Sequence, residues 1–204
     1  VLQNVPVALA SAMSTASIPS ISSAWALENV KEAKEHITSG LSVTMMILIP
    51  AAIGMAALAY PIMGVLFPQK ATIMMATKLL IFGSPAIVFY GLSTLTNGIL
   101  QALGEVNVPL RNAAFSLVCH IVIIAILLFI TPLGVYVLVF GNCTYAFQVC
   151  YLNQKALRKK IGYKQEIKRT YVLPLIASSI MAVAVLGIYY GLFTLTHRVF
   201  LPLI

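Results

Sequence analysis

The sequence predicts an all-α, polytopic integral membrane protein with about six transmembrane helices, and three observations carry that class. Of its 204 residues, 60% are hydrophobic and 9% charged, against roughly 25% charged in an ordinary soluble domain. The charges leave five long windows free, Val1 to Leu27, His36 to Gln69, Leu79 to Gly104, Asn112 to Gln154 and Thr170 to His197, and about 20 apolar residues suffice to cross a bilayer core. Finally, "VIIAILLFI", Val122 to Ile130, lacks the polar–apolar alternation of a membrane barrel strand, so the backbone must satisfy its polar groups as helix.

Taken in order, the windows predict spans near 2–24, 42–66, 77–101, 110–130, 133–153 and 171–194, the fourth window being divided by "TPLG", Thr131 to Gly134. The first span is unusual: Ser11, Ser14, Thr15, Ser17 and Ser20 crowd one stretch with hydroxyls. At about 100° per residue, Asn4, Ser11, Thr15 and Ser22 fall within roughly 40° of one another, with Ala8 among them. Small hydroxylated residues suit close helix packing, but this density, with Gln3 at one end, favours a helix bordering a watery cavity. These four residues are therefore the candidate substrate-cavity set.

Between the first two spans, "ALENVKEAKEHITSGL" places Leu27, Val30, Ala33, Ile37 and Leu41 at helical spacing with charges mostly on the other side, which predicts an amphipathic connector at the membrane interface. The third span carries Gly83, Pro85 and Gly91 in its first half, a predicted kink, and then Asn97, Gln101 and Glu105 along one face. That stripe could face a cavity or lead the helix out into the cytoplasm. His120, near the middle of the fourth span, could bond across helices or relay protons. Gln3, Asn97, Gln101 and His120 form a second candidate set, for a cavity or gate.

With six spans the loops alternate between two sides. One side carries Lys31, Lys34, Arg111, Lys155, Arg158, Lys159, Lys160, Lys164, Lys168 and Arg169; the other carries Lys70, Lys78 and Arg198. The positive-inside rule makes the first side cytoplasmic. The net charge of +8 thus sits largely in a basic loop at 155–170. Its natural partners are anionic membrane lipids rather than nucleic acid, at about 1 kcal/mol per basic residue near the surface. Candidate headgroup contacts are Lys155, Arg158, Lys159, Lys160, Lys164, Lys168 and Arg169.

Chemistry is scarce. The five acidic residues are all glutamates, Glu28, Glu32, Glu35, Glu105 and Glu166, in loops or at a span's end. Cys119, Cys143 and Cys150 fall within spans at no zinc-binding spacing. No metal motif, phosphate loop or nucleophile constellation occurs, so no catalytic residue, metal or cofactor is expected and an enzyme is disfavoured. The chain opens on Val1 and closes on "FLPLI", which reads like the start of another apolar segment. It is expected to be a piece of a larger protein, one that does not fold alone.

Two stretches carry a family resemblance. "IPSISSAWALENVKEAKEHITSGLSVTMMILIPAAIGMAALAYPIMGVLF" resembles a passage of polysaccharide flippases in which a proline-ended helix, a short connector and a helix opening "LIP" run to "PIMGVLF". "NGILQALGEVNVPLRN" is similar to the "LQxxGxxxxP" turn of the same proteins. The likeness is to the multidrug/oligosaccharidyl-lipid/polysaccharide exporter superfamily, and within it to stage V sporulation protein B and the MurJ-type lipid II flippases. It runs over nearly the whole chain.

The resemblance implies a fourteen-helix transporter of the bacterial cell membrane, with two six-helix lobes and an accessory pair, of which these spans would be helices eight to thirteen. Residues 1–154 would form most of the second lobe, 155–170 a cytoplasmic loop, and 171–204 an accessory helix and the start of its partner. It further implies a lipid-linked oligosaccharide or lipid II as substrate, flipped by alternating access, with Asn4, Ser11, Thr15 and Ser22 meeting the headgroup and a coupling ion as an optional partner. The basic cavity residues such flippases use to hold pyrophosphate have no counterpart in mid-span. An ion-coupled drug antiporter would want an intramembrane carboxylate, which this chain lacks. A non-transporting scaffold for envelope or spore assembly would have its first-span hydroxyls sealed.

Overall fold

The computed structural model describes residues 2–66, 70–132 and 134–195; the closing "FLPLI" lies outside them. The described residues form α1 (Asn4–Ala26), α2 (Val30–Ala57), α3 (Ala59–Leu66), α4 (Lys70–Ala102), α5 (Asn107–Ile130), α6 (Tyr136–Ile161), a π-helical turn (Lys168–Val172) and α7 (Leu173–Leu195). No strand occurs among them. Five helical segments are long and apolar enough to cross a membrane.

The fifth predicted span, 133–153, is also a helix, α6, but α6 is not among those five. Its length, 26 residues, is ample; its composition is what differs. Asn142, Thr144, Gln148, Asn153 and Gln154 interrupt its apolar run; of these Asn153 bonds neighbouring helices, and Thr144 Oγ1 donates to the Phe140 carbonyl of its own helix.

Two further boundaries depart from the sequence-based expectation. The amphipathic connector is not a separate helix: it is the first part of α2, which continues unbroken to Ala57. Its apolar positions Ala33, Ile37 and Leu41 are buried, so the core rather than the membrane surface takes that face. The second predicted span instead breaks at Leu58, where α2 ends and α3 begins.

The turns have identifiable local causes. After α1 the Glu28 and Asn29 amides reach back to Trp25 and Ala24 carbonyls, at 3.0 Å each, with Glu28 in the left-handed region at φ 57°. That is a Schellman ending. Asn29 then caps α2, its Oδ1 accepting from the Glu32 amide at 3.2 Å while its Nδ2 donates to Glu32 Oε2 at 2.8 Å. The α4 ending repeats the Schellman geometry with Gly104 at φ 81°, its amide on Gln101 and that of Glu105 on Leu100. Helix α5 stops at Thr131, which is extended, as the following Pro132 requires.

Helix α4 is central, packing against α1, α2 and α6; α5 lies against α6, and α7 against α2. Leu41, Met45 and Leu48 of α2, Ile87, Leu95, Ile99 and Leu100 of α4, Ile21 of α1 and Leu157 of α6 are fully buried in one cluster. The predicted kink glycines serve contact, Gly91 of α4 lying against the Leu48 side chain and Gly83 against Gln3; farther along, Gly98 lies against Ser14. Those pairings also show α1 and α4 running in the same direction. Together with chain connectivity, they gather the ends carrying Lys31, Lys34, Arg111 and Lys155–Arg169 at one end of the bundle.

Candidate substrate-facing site

Helix α1 divides cleanly into two faces. Pro6, Ala10, Ser14, Ile21 and Ala24 are buried against the bundle, where Ser14 Oγ donates to the Thr94 carbonyl of α4 at 3.4 Å. Asn4, Ser11 and Thr15 are exposed and Ser22 half-buried. The four residues predicted to share a stripe therefore do so, and no neighbouring helix among the described residues covers it. Ala8, Ala12 and Ala16 are exposed beside them, with the larger Val5 and Leu9 farther round the helix.

Two of the stripe's three hydroxyls are satisfied within their own helix, and Ser11 Oγ is left open among the described residues. Thr15 Oγ1 donates to the Ser11 carbonyl at 3.0 Å and Ser22 Oγ to that of Pro19 at 3.1 Å. Each hydroxyl oxygen retains lone pairs that can accept. Such a surface, with Ser11 Oγ and the Asn4 amide free to donate as well, can exchange hydrogen bonds with a sugar hydroxyl and release them.

The second candidate set lies elsewhere. Gln3 is half-buried beside Gly83. His120 Nδ1 meets the Gly141 carbonyl at 2.9 Å, its ring edge-on to Tyr145, which is an α5–α6 bond. Asn97 Oδ1 accepts from Asn153 Nδ2 at 2.6 Å, and Gln101 is exposed. Glu105, the last of that stripe, pairs with Lys160 Nζ at 2.6 Å. Asn97 and Glu105 thus join α4 and its following turn to α6, and only Gln101 is left facing outward.

Sequence reasoning missed what Asn97 belongs to. Asn153 of α6 bonds three partners: Asn97, Thr96 Oγ1 at 3.3 Å, and Asn112 Nδ2 of α5, which donates to Asn153 Oδ1 at 3.0 Å. This seam fastens three helices through amides. The available signal was the presence of Asn112 and Asn153 within one charge-free window, since uncompensated amides are expensive in hydrocarbon.

The basic residues lie at the common end. Arg158, Lys159 and Lys160 occupy the last turn of α6, where cations complement the helix dipole, and Lys160 also sits 5.9 Å from the centre of the Trp25 ring. Lys155 lies one turn earlier, Lys164 in the following loop, and Lys168 and Arg169 in the π-helical turn. A cavity of about 560 Å³ between α2 and that turn is lined by Lys31, Lys34, Thr38, Ser42, Glu166 and Arg169. At its edge Tyr163 and Thr38 share a hydroxyl contact of 3.2 Å; burial pushes the Tyr163 phenol up, partly countered by that bond. Among the described residues, no group of three His, Cys, Asp or Glu side chains could hold a metal ion.

Helices of membrane length, packed around α4 and leaving a small polar stripe open on α1, define a polytopic helical membrane protein. The family model described as "Lipid II flippase MurJ" matches residues 1–203. The chain belongs to that family, and so to the multi-pass proteins of the bacterial cell membrane that handle the lipid-linked precursor of peptidoglycan. No curated protein and no solved structure matches it.

Proposed function

We propose that the exposed face of α1 lines the cavity through which a lipid II headgroup passes from the cytoplasmic to the outer leaflet. Asn4, Ser11, Thr15 and Ser22 would supply reversible hydrogen bonds to the sugars while the lipid tail stays in the bilayer. Residues 1–154 would form most of the second lobe of a fourteen-helix transporter, with 155–170 a cytoplasmic loop and residues from 171 an accessory helix. Alternating access fits this arrangement: a polar wall built on one lobe can be turned toward either side when the lobes rock. No covalent step is involved. A coupling ion, if the transporter uses one, would find no mid-span carboxylate in this chain.

The observation that supports the reading is the contrast in what α1 leaves open. Although Val5 and Leu9 are also exposed on α1, the stripe of alanine, serine, threonine and asparagine beside them is poorly matched to lipid and well matched to a hydrated headgroup. The test is rescue of bacteria depleted of their own lipid II flippase by the intact protein containing this chain, with membrane expression measured. Rescue by the parent and its loss in Ser11→Val/Thr15→Val would support the cavity assignment. Full rescue by the double variant would remove it, and failure by a well-expressed parent would point to another lipid-linked glycan.

A further inference from the structure

A second site lies at the basic end, between α5 and α6 and away from the α1 stripe. A cleft of about 470 Å³ is lined by Arg111 and Val108 of α5, Leu152, Lys155 and Lys159 of α6, and Lys160. Glu105 is the one carboxylate lining it and is already paired with Lys160 at 2.6 Å. Arg111, Lys155 and Lys159 form no ion pair with any described residue. Three unneutralised cations thus converge on one concavity.

Its geometry is anchored rather than accidental. Asn112, which also lines the cleft, is buried and bonded to Asn153 across the helix pair, so the register that brings Arg111 opposite Lys155 is held from beneath. The first turn of α5 borders the same space, and that helix start has no side-chain cap. The positive end of that helix's dipole adds to the attraction for an anion.

The surface leading away from the cleft is apolar. Arg111, Phe115, Val118 and Val122 fall within roughly 60° of one another around α5, and the last three are exposed, at 60%, 62% and 50%. One helix face therefore carries a cation at its membrane boundary and a continuous apolar track running into the bilayer. A free phosphate ion would use the first and have no use for the second; a phospholipid uses both.

We propose that this cleft binds the phosphodiester headgroup of an anionic phospholipid of the cytoplasmic leaflet, with one acyl chain lying along Phe115, Val118 and Val122. The inference is independent of how lipid II crosses, because it concerns a different pair of helices and a resident lipid rather than the cargo. Its occupant would bridge α5 and α6 at the end where the bundle meets the headgroup layer.

The test uses the intact protein in phosphatidylethanolamine vesicles containing a small fraction of phosphatidylglycerol with a photoactivatable acyl chain, the crosslinked residues being mapped. Crosslinks are expected on Phe115–Val122, reduced by about fivefold or more in Arg111→Ala/Lys155→Ala/Lys159→Ala, since each basic residue contributes appreciably to anionic-lipid attraction. The variant Lys31→Ala/Lys34→Ala, at the same end of the bundle but on α2 and outside the cleft, should retain them. Equal loss in both variants, no loss in the cleft variant, or equal crosslinking by a photoactivatable phosphatidylethanolamine would overturn the proposal. So would displacement by millimolar inorganic phosphate at constant ionic strength, which would assign the cleft to a free anion. Should the triple variant fail to insert, the single changes Arg111→Gln and Lys155→Gln are read by the same crosslinks, each with an expected partial loss.

Discussion

Helices α1 and α5 both leave a broad face uncovered, and the two faces could hardly differ more in composition. On α5 the exposed residues include Leu110, Phe115, Val118, Ile121, Val122 and Phe129; on α1 they include Val5 and Leu9 but also Asn4, Ala8, Ser11, Ala12, Thr15 and Ala16. Exposure alone therefore says little about a membrane protein. The side chains reveal the intended solvent: large apolar groups gain from contact with acyl chains, whereas short hydroxylated ones leave room for water or a polar cargo.

The strongest way to break this comparison is to exchange the solvents. Ser11→Val/Thr15→Val should slow flipping by roughly tenfold, because two hydrogen bonds at about 0.6 kcal/mol each in a membrane approach one decade in rate. Val118→Ser/Val122→Ser on α5 should leave flipping nearly unchanged, as the new hydroxyls bond back to their own helix. Headgroup-protection assays on both variants in vesicles check this. Equal slowing by the two pairs would mean that the faces are not functionally distinct.

The next effect concerns what holds the lipid-facing helix in place. Asn153→Leu removes all three amide bonds of the α4–α5–α6 seam and should lower stability by about 2 kcal/mol, taking roughly 0.6 kcal/mol per bond. Reversible unfolding in mixed micelles measures it. A change below the error of the method would show that apolar packing holds α5 onto α6 and that the seam is energetically idle.

Much of this architecture was legible in the sequence, for reasons that differ by element. Spans are announced by length and apolarity, and the end of α5 by Pro132. The α1 stripe was readable because helical periodicity is local. The asparagine seam was not, since its bonds join residues 41 to 57 positions apart and no periodicity reports such a pairing. The continuity of α2 was missed for a related reason. Charges on one side of Val30–Leu41 describe the solvent of that side, while the burial of Ile37 and Leu41 depends on helices far along the chain.

A smaller effect tests how α1 is kept facing outward. A methyl group at Gly98 would meet Ser14 Oγ, so Gly98→Ala must turn the serine away from the Thr94 carbonyl or push α1 off α4. We expect a loss of about 1 kcal/mol, largely recovered in Gly98→Ala/Ser14→Ala, because removing the hydroxyl makes the space that the methyl needs. A double-mutant cycle with no coupling would refute that close approach.

The smallest expected change lies in the turn that follows the α1 stripe. Glu28 and Gly104 occupy equivalent positions in two Schellman endings, at φ 57° and 81°, but only the glycine is free of a Cβ. Glu28→Gly relieves a left-handed conformation costing about 1–2 kcal/mol, and gives back about 0.4–1 kcal/mol through a freer unfolded chain. The net gain should be about 0.5 kcal/mol, seen as a slightly higher unfolding midpoint. Glu28 makes no ion pair with a described residue, so nothing on its side chain should offset that gain. A lower midpoint would instead mean that the carboxylate does work outside this chain, at the cytoplasmic end of the helix whose open face carries the hydroxyls.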